Sequence, residues 1–247
     1  MPAFSASVDF AIDKPAEQPC PNLQPDFGCG IHSELRPRGF RGCTVYDCFG
    51  AGQQVAQVTF GARDWRRHPG TAKQMFAVFP IMRQLHELLW YLTAALALPA
   101  SRPIADDLRR ALDVTERMTQ GRADELTELD VEQHQDETNT LLVRASELAR
   151  APVRGPKLDH RGADLIAARL NGADLRGANL RGARLIGAGL RRADLTLADL
   201  TGADLRDADL RGADLTESLF LTQPQLDSAL GDSDTGLPPS LSRPAHW

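Results

Sequence analysis

The sequence predicts an α+β, multi-domain chain: a Cys-containing irregular segment, a helical region, and a short square coil of stacked backbone closed by a tail. Three observations predict it. Leu recurs at every fifth position from Leu165 to Leu215, with Ala two residues ahead of each, from Ala163 to Ala213. Residues 72–154 carry helical periodicity. All four cysteines fall between Cys20 and Cys48, inside a Gly- and Pro-rich stretch. The expected segments are 1–71, an irregular piece with a possible metal site; 72–154, helical; 155–222, the repeat; and 223–247, a polar, Pro-containing cap.

With 247 residues, 42% apolar and 25% charged, the chain is long enough to bury a sizeable core as one or two domains. Twenty-eight basic residues against 33 acidic give a net charge of −5, which argues against a broadly basic nucleic-acid binder. Arg outnumbers Lys 25 to 3, the usage of a GC-rich, bacterial genome. The most apolar run, Leu88 to Ala100, is only 13 residues, so no membrane span is expected. Met1 to Asp13 lacks a cationic start and an apolar stretch, so a cytoplasmic location is expected.

In a reducing compartment, clustered cysteines favour metal over disulfide. Four thiolates can enclose zinc tetrahedrally, although the spacings of 8, 13 and 4 residues contain no CxxC knuckle. His32, three residues after Cys29, is a further candidate ligand. The candidate metal set is therefore Cys20, Cys29, Cys43, Cys48 and His32, for zinc or iron; free structural thiols are the alternative. Gly50-Ala51-Gly52 lacks a full nucleotide-binding fingerprint and reads as a turn before a helix-like Gln53–Phe60. Trp65-Arg66-Arg67-His68 reads as a solvated basic turn.

From Met75 to Leu98 most positions are apolar, which predicts a buried helix with Pro80 in its first turn. His86-Glu87 opens like a zinc-protease motif, but Trp90 stands where the second His is needed. Ile104, Leu108, Leu112, Thr115 and Met118 mark one face of a second helix, entered through Ser101 and Pro103. Leu141, Leu142, Ala145 and Leu148 mark a third; Glu132–Thr140 has no strong apolar residue and is read as solvated helix or loop.

A period of five fits neither an α-helix, where successive leucines would sit about 140° apart, nor a straight strand, where odd spacing alternates faces. Within one unit, Ala and Leu share a face and the residue between them, usually Asp, faces out. The next two residues must turn the chain. Gly at 172, 177, 182, 187, 202 and 212 supplies the positive φ such a corner needs. A corner every five residues makes a square coil of 20 residues per turn, and twelve units make about three turns. Ile166 and Ile186 stack at a corner that should face solvent, so a protein cover is expected there.

This run resembles the pentapeptide-repeat family. The ending Leu221-Thr222-Gln223, Gln225-Leu226-Asp227, Gly231-Asp232, Thr235, Leu237-Pro238 and Arg243-Pro244 is similar to one often found after such repeats. The resemblance covers 161–247 and implies a right-handed quadrilateral β-helix. Some members of the family are DNA mimics that bind topoisomerases, which requires a strongly negative surface. Residues 161–220 hold nine Asp or Glu against nine Arg, and Arg191 and Arg211 should offset the column Asp174, Asp194, Asp214, so mimicry is disfavoured. The cysteine segment, through Cys20, Cys29 and Cys43, resembles the second half of bacterial cysteine-cluster proteins described as zinc- or iron-chelating. The C-x-x-C-x-x-x-C-C element of those proteins would fall about at Met1.

No Ser/His/Asp order or paired-carboxylate setting stands out, so the reading leans away from an enzyme. The function expected is a non-catalytic protein-interaction scaffold built on a short repeat, with another protein as partner and neither membrane nor nucleic acid. The alternative is a metal-chelating cysteine-cluster protein that uses the repeat as scaffold.

Overall fold

A computed structural model describes residues 3–16, 18–155 and 157–247. The chain divides into two compact units: Met1–Thr93 with Asp106–Thr140, and Ala94–Ala105 with Leu141–Trp247.

The first unit opens with irregular chain pinned by single bridges, Phe4 to Lys14 and Leu23 to Cys29. Short helices α1 (Arg41–Thr44) and α2 (Ala51–Gln53) follow, and α2 runs on as a π-helix over Gln54–Thr59. Gly50, at φ +84°, makes the corner ahead of α2. The long helix α3 (Pro69–Ala97) supplies the core of this unit through Val78, Met82 and Leu85, packed with Ala51, Val55, Phe60, Leu126 and Val131. Helix α3 begins at Pro69, so Pro80 lies in its interior and not in the first turn as expected. Pro80 is exposed. There, water can solvate the Phe76 carbonyl that its missing N–H leaves unpaired.

Helices α4 (Ala105–Thr119), α5 (Ala123–Glu128) and α6 (Val131–Arg150) follow. The stretch 132–140 is helical throughout, and its inward face is polar. His134 and Thr138 are buried, and His134 Nε2 pairs with Thr115 Oγ1 at 2.8 Å. The Thr115 hydroxyl donates to the Ala111 carbonyl, so the ring nitrogen is the donor to it. Apolar periodicity could not show this face, because its buried residues are polar.

In the second unit the repeat winds as a stack of turns. From residue 162 to 212 every fifth residue has positive φ. Seven of these eleven are Gly; the others are Ala167, Arg192, Leu197 and Asp207. The turn closes by a bond from each following Ala N–H to the preceding Leu carbonyl, as in Ala168 to Leu165 at 3.1 Å. Between corners one residue per side bridges in parallel to the residue 20 further on, such as Asp164 to Arg184 and Asp174 to Asp194. Ala and Leu point inward and are fully buried from Leu175 to Leu215.

The expected right-handed quadrilateral β-helix, and with it the α+β class, is corrected here. Among the described residues there is no β-strand; the repeat holds only isolated one-residue bridges between turns, and the regular elements of the chain are helices. Five residues per side are too few for a strand once the turn has taken its share.

Asp199, fully buried, pairs with buried Arg181 at 3.2 Å. Thr201 closes the triangle: its hydroxyl accepts from Arg181 at 2.9 Å and donates to Asp199 at 2.6 Å. The tail seals the last coil. Helix α7 (Gln223–Ser228) places Gln225 Nε2 on the Leu200 and Ala203 carbonyls at 2.8 and 2.9 Å. Thr235 Oγ1 donates to the Leu210 carbonyl at 3.0 Å, and Trp247 packs on the core.

Gly172→Ala meets no neighbour and should cost about 1 kcal/mol from backbone strain alone. Gly177→Ala should cost more, because its new Cβ would stand 3.0 Å from Val153 Cγ2. Arg192→Gly should be neutral or slightly stabilising, since it relieves a strained corner. Urea midpoints rank the three. Burial also lowers the His134 pKa, against an opposing pull from Glu137. The native state therefore resists a proton that the unfolded chain accepts. Stability should be level above the ordinary imidazole value of 6.5 and fall as pH drops below it. In urea melts at pH 7.5 and 5.5, wild type should lose stability at the lower pH and His134→Gln should lose less.

Candidate functional site

The sequence singles out the thiols of the first unit. All four are free: Cys29 is exposed, and Cys20, Cys43 and Cys48 are half-buried. The bridge between Leu23 and Cys29, with Leu23 N–H on the Cys20 carbonyl at 3.0 Å, folds Cys20 and Cys29 onto one small loop. Burial raises the Cys43 pKa, and negative charge on Cys20 and Cys29 raises it further. Cys20 and Cys29 therefore lie within electrostatic reach of Cys43. Lys14, buried with Nζ on the Pro15 and Gln18 carbonyls, sits close enough to Cys20 for an opposing charge effect.

Cys48 faces a different set. Its Sγ lies 4.0 Å from Gln53 Oε1, and its charge acts on Tyr46. His32 is exposed in a short 3₁₀ turn after Cys29. Among the described residues, no three His, Cys, Asp or Glu side chains form a group that could hold a metal ion.

Beside Cys48 lies a polar cluster that sequence reading passed over. Arg83 Nε donates to the Asp47 carbonyl at 3.1 Å, and its Nη1 stands 3.3 Å from Glu87. The guanidinium lies 5.9 Å and 5.7 Å from the ring centres of Tyr46 and Phe49. Burial raises the Glu87 pKa, Arg83 opposes it and Asp47 adds to it. His86, the opening of the discarded protease motif, bonds the Phe49 carbonyl through Nδ1 at 2.8 Å. It anchors the 47–50 turn on α3. The i, i+4 spacing of Arg83 and Glu87 was the available signal. The basic turn is self-satisfied: Arg66 and Arg67 both pair with Asp64.

On the outside of the repeat three Asp carboxylates are held by an Arg two residues on, at the same corner. Asp174 and Arg176 meet at 2.6 Å, Asp204 and Arg206 at 2.7 Å, and Asp209 and Arg211 at 2.7 Å. Hydrogen bonds from Arg176 hold Asp174 down to about 2. Other pairs cross between coils, such as Arg184 with Asp164 at 3.2 Å and Arg191 with Asp209 at 2.7 Å. The counter-charge on the Asp174 column is thus Arg176, which also lies 3.7 Å from Asp194; Arg191 and Arg211 turn to Asp209 instead.

The first coil is finished differently from the last. Ile166 is 44% exposed and Leu158 41%, while Leu165, Leu170 and Ile186 are only half-buried. Of the corner expected to be covered by protein, Ile186 is half-buried and Ile166 is exposed among the described residues.

Comparison with known proteins agrees with the repeat. The family model described as pentapeptide repeats matches residues 161–196 and 178–217. "Uncharacterized protein YybG" of Bacillus subtilis (strain 168) is 58% identical over 247 residues, covering 99% of this chain and 88% of that protein. A pentapeptide repeat protein (Rfr23) from the cyanobacterium Cyanothece 51142, known from its crystal structure, is 30% identical over 35% of this chain and 67% of its own. Its TM-score of 0.20 adds nothing on the fold. Among the described residues no helix is long and apolar enough to cross a membrane. The unbroken period, the inward Ala and Leu and the match to YybG place this chain in the YybG family, as a pentapeptide-repeat protein.

Proposed function

We propose that the protein is a non-catalytic interaction scaffold that receives another protein on the first coil of its repeat. One observation carries this reading: the two ends of the stack are finished differently. The core of the last coil is sealed by α7, Thr235 and Trp247, with the outward Leu230 exposed, whereas the first leaves Leu158 and Ile166 in solvent above half-buried Leu165 and Leu170. Apolar rungs at the end of a rigid stack offer a partner a preformed surface with little ordering cost. Single-residue backbone bridges between coils hold that surface in register.

A photoreactive residue at Ile166, with a control at exposed Thr216, tests it in cells. A discrete protein adduct at 166 and none at 216 is expected. Equal labelling at both positions, or none at 166, overturns the reading.

Metal chelation by the thiols is the second reading, favoured by the electrostatic reach of Cys20 and Cys29 to Cys43. On that reading purified protein carries about one zinc or iron per chain and loses it in Cys43→Ser, as metal analysis would measure. Protein free of both metals, or metal content unchanged by the substitution, counts against it.

A further inference from the structure

We propose that the first unit contains a binding site for a small molecule with a flat apolar body and one carboxylate. Its π-helix, the loop that follows and the start of α3 enclose a half-open cavity of about 510 Å³. That volume falls within the roughly 300–1,000 Å³ of small-molecule sites. The walls are aromatic: Trp65 and Phe76 meet edge to face at 5.5 Å, Phe79 continues that wall, and Phe27 and Tyr46 line it from the other elements. Phe27 and Tyr46 are both large and about half exposed, which costs solvation unless an apolar body covers them. A π-helix widens the backbone at this point, a feature frequent at binding sites.

The charge at the rim selects the ligand. Asp64 is already satisfied: its Oδ1 accepts from the Arg66 N–H at 2.8 Å, and both Arg66 and Arg67 pair with it. Arg66 is also committed, donating to the Gln24 and Pro25 carbonyls at 3.3 and 2.6 Å and stacking over Phe27 at 3.8 Å. Arg63, which lines the same cavity, enters no ion pair and no side-chain hydrogen bond among the described residues. Aromatic walls take a planar ring, and the uncommitted guanidinium takes a carboxylate in its forked geometry.

Gly52 offers a way to close the cavity without disturbing the core. A Cβ there would sit 3.6 Å from Cys48 Sγ and 3.9 Å from Phe79, ordinary contact distances. Gly52→Leu should therefore fill the site, and Ala56→Leu, at an exposed lining position, does the same from the π-helix.

Calorimetric titration of the full chain with 2-naphthoate and with neutral 2-naphthamide tests the assignment. The acid should bind one per chain and about fivefold more tightly than the amide. Arg63→Gln should erase that preference while leaving amide binding unchanged. Gly52→Leu and Ala56→Leu should each abolish both, with Ala56→Leu deciding if Gly52→Leu does not fold. Absence of binding by either compound, equal affinity in wild type, a preference that survives Arg63→Gln, tighter binding of dodecanoate, or undiminished binding in a folded cavity-filling variant would each overturn the proposal.

Discussion

Every fifth residue of the repeat has to turn the chain while keeping its own N–H directed at the next coil. In Gly172 this is visible directly: φ is +67°, and the N–H donates to Arg191 at 2.7 Å. That requirement fixes everything else in the unit. It leaves one residue per side free to bridge, sets Ala and Leu on the inner face, and puts Asp where its carboxylate can accept the N–H two residues on, as Asp194 does from Thr196 at 3.0 Å. Gly fits the corner without strain. Arg192, Leu197, Asp207 and Ala167 hold the same corner at φ of 52–56° because their neighbours leave the backbone no other course.

The helical part obeys a looser rule, and polar groups enter its interior. His134 is satisfied by Thr115, yet among the described residues the hydroxyls of Thr138 and Ser101 are buried without a hydrogen-bond partner. Arg181 and Asp199 show how the repeat treats the same difficulty. Thr201 stands between them as acceptor for one and donor to the other, so neither charge is left bare.

The repeat was the most legible part of the chain because its signal is local and repeated: Leu, Ala and Gly each take one fixed place in every unit. The α4 face was legible for the same reason, with Leu108 and Thr115 buried at helical spacing. What escaped was whatever depends on partners distant in sequence. The π-helix leaves no compositional mark. Pro80 looked like a helix start, because a single sequence does not show that Pro69 had already opened α3. Bridging by single residues could not be told from strands, since both bury alternate side chains. The Arg83–Glu87 pair was visible as spacing, but its hold on the turn at Asp47 came only with three-dimensional placement. For the thiols, proximity in sequence brought Cys20, Cys29 and Cys43 within electrostatic reach, while Cys48 took its place with Gln53 and Tyr46.

The unequal finish of the two stack ends gives the repeat a direction. Each coil is held by its neighbours, so opening propagates layer by layer. At the last coil the tail continues the ladder, bridging Asp209 to Leu230 and Asp214 to Gly236. At the first, the bridge from Asp159 to Asn179 is the outermost rung, and Leu165 beneath it is only half-buried. Opening of the stack should therefore begin at the low-numbered end, once the hold of Arg150 Nη1 on the Gly177 carbonyl, at 3.2 Å, gives way.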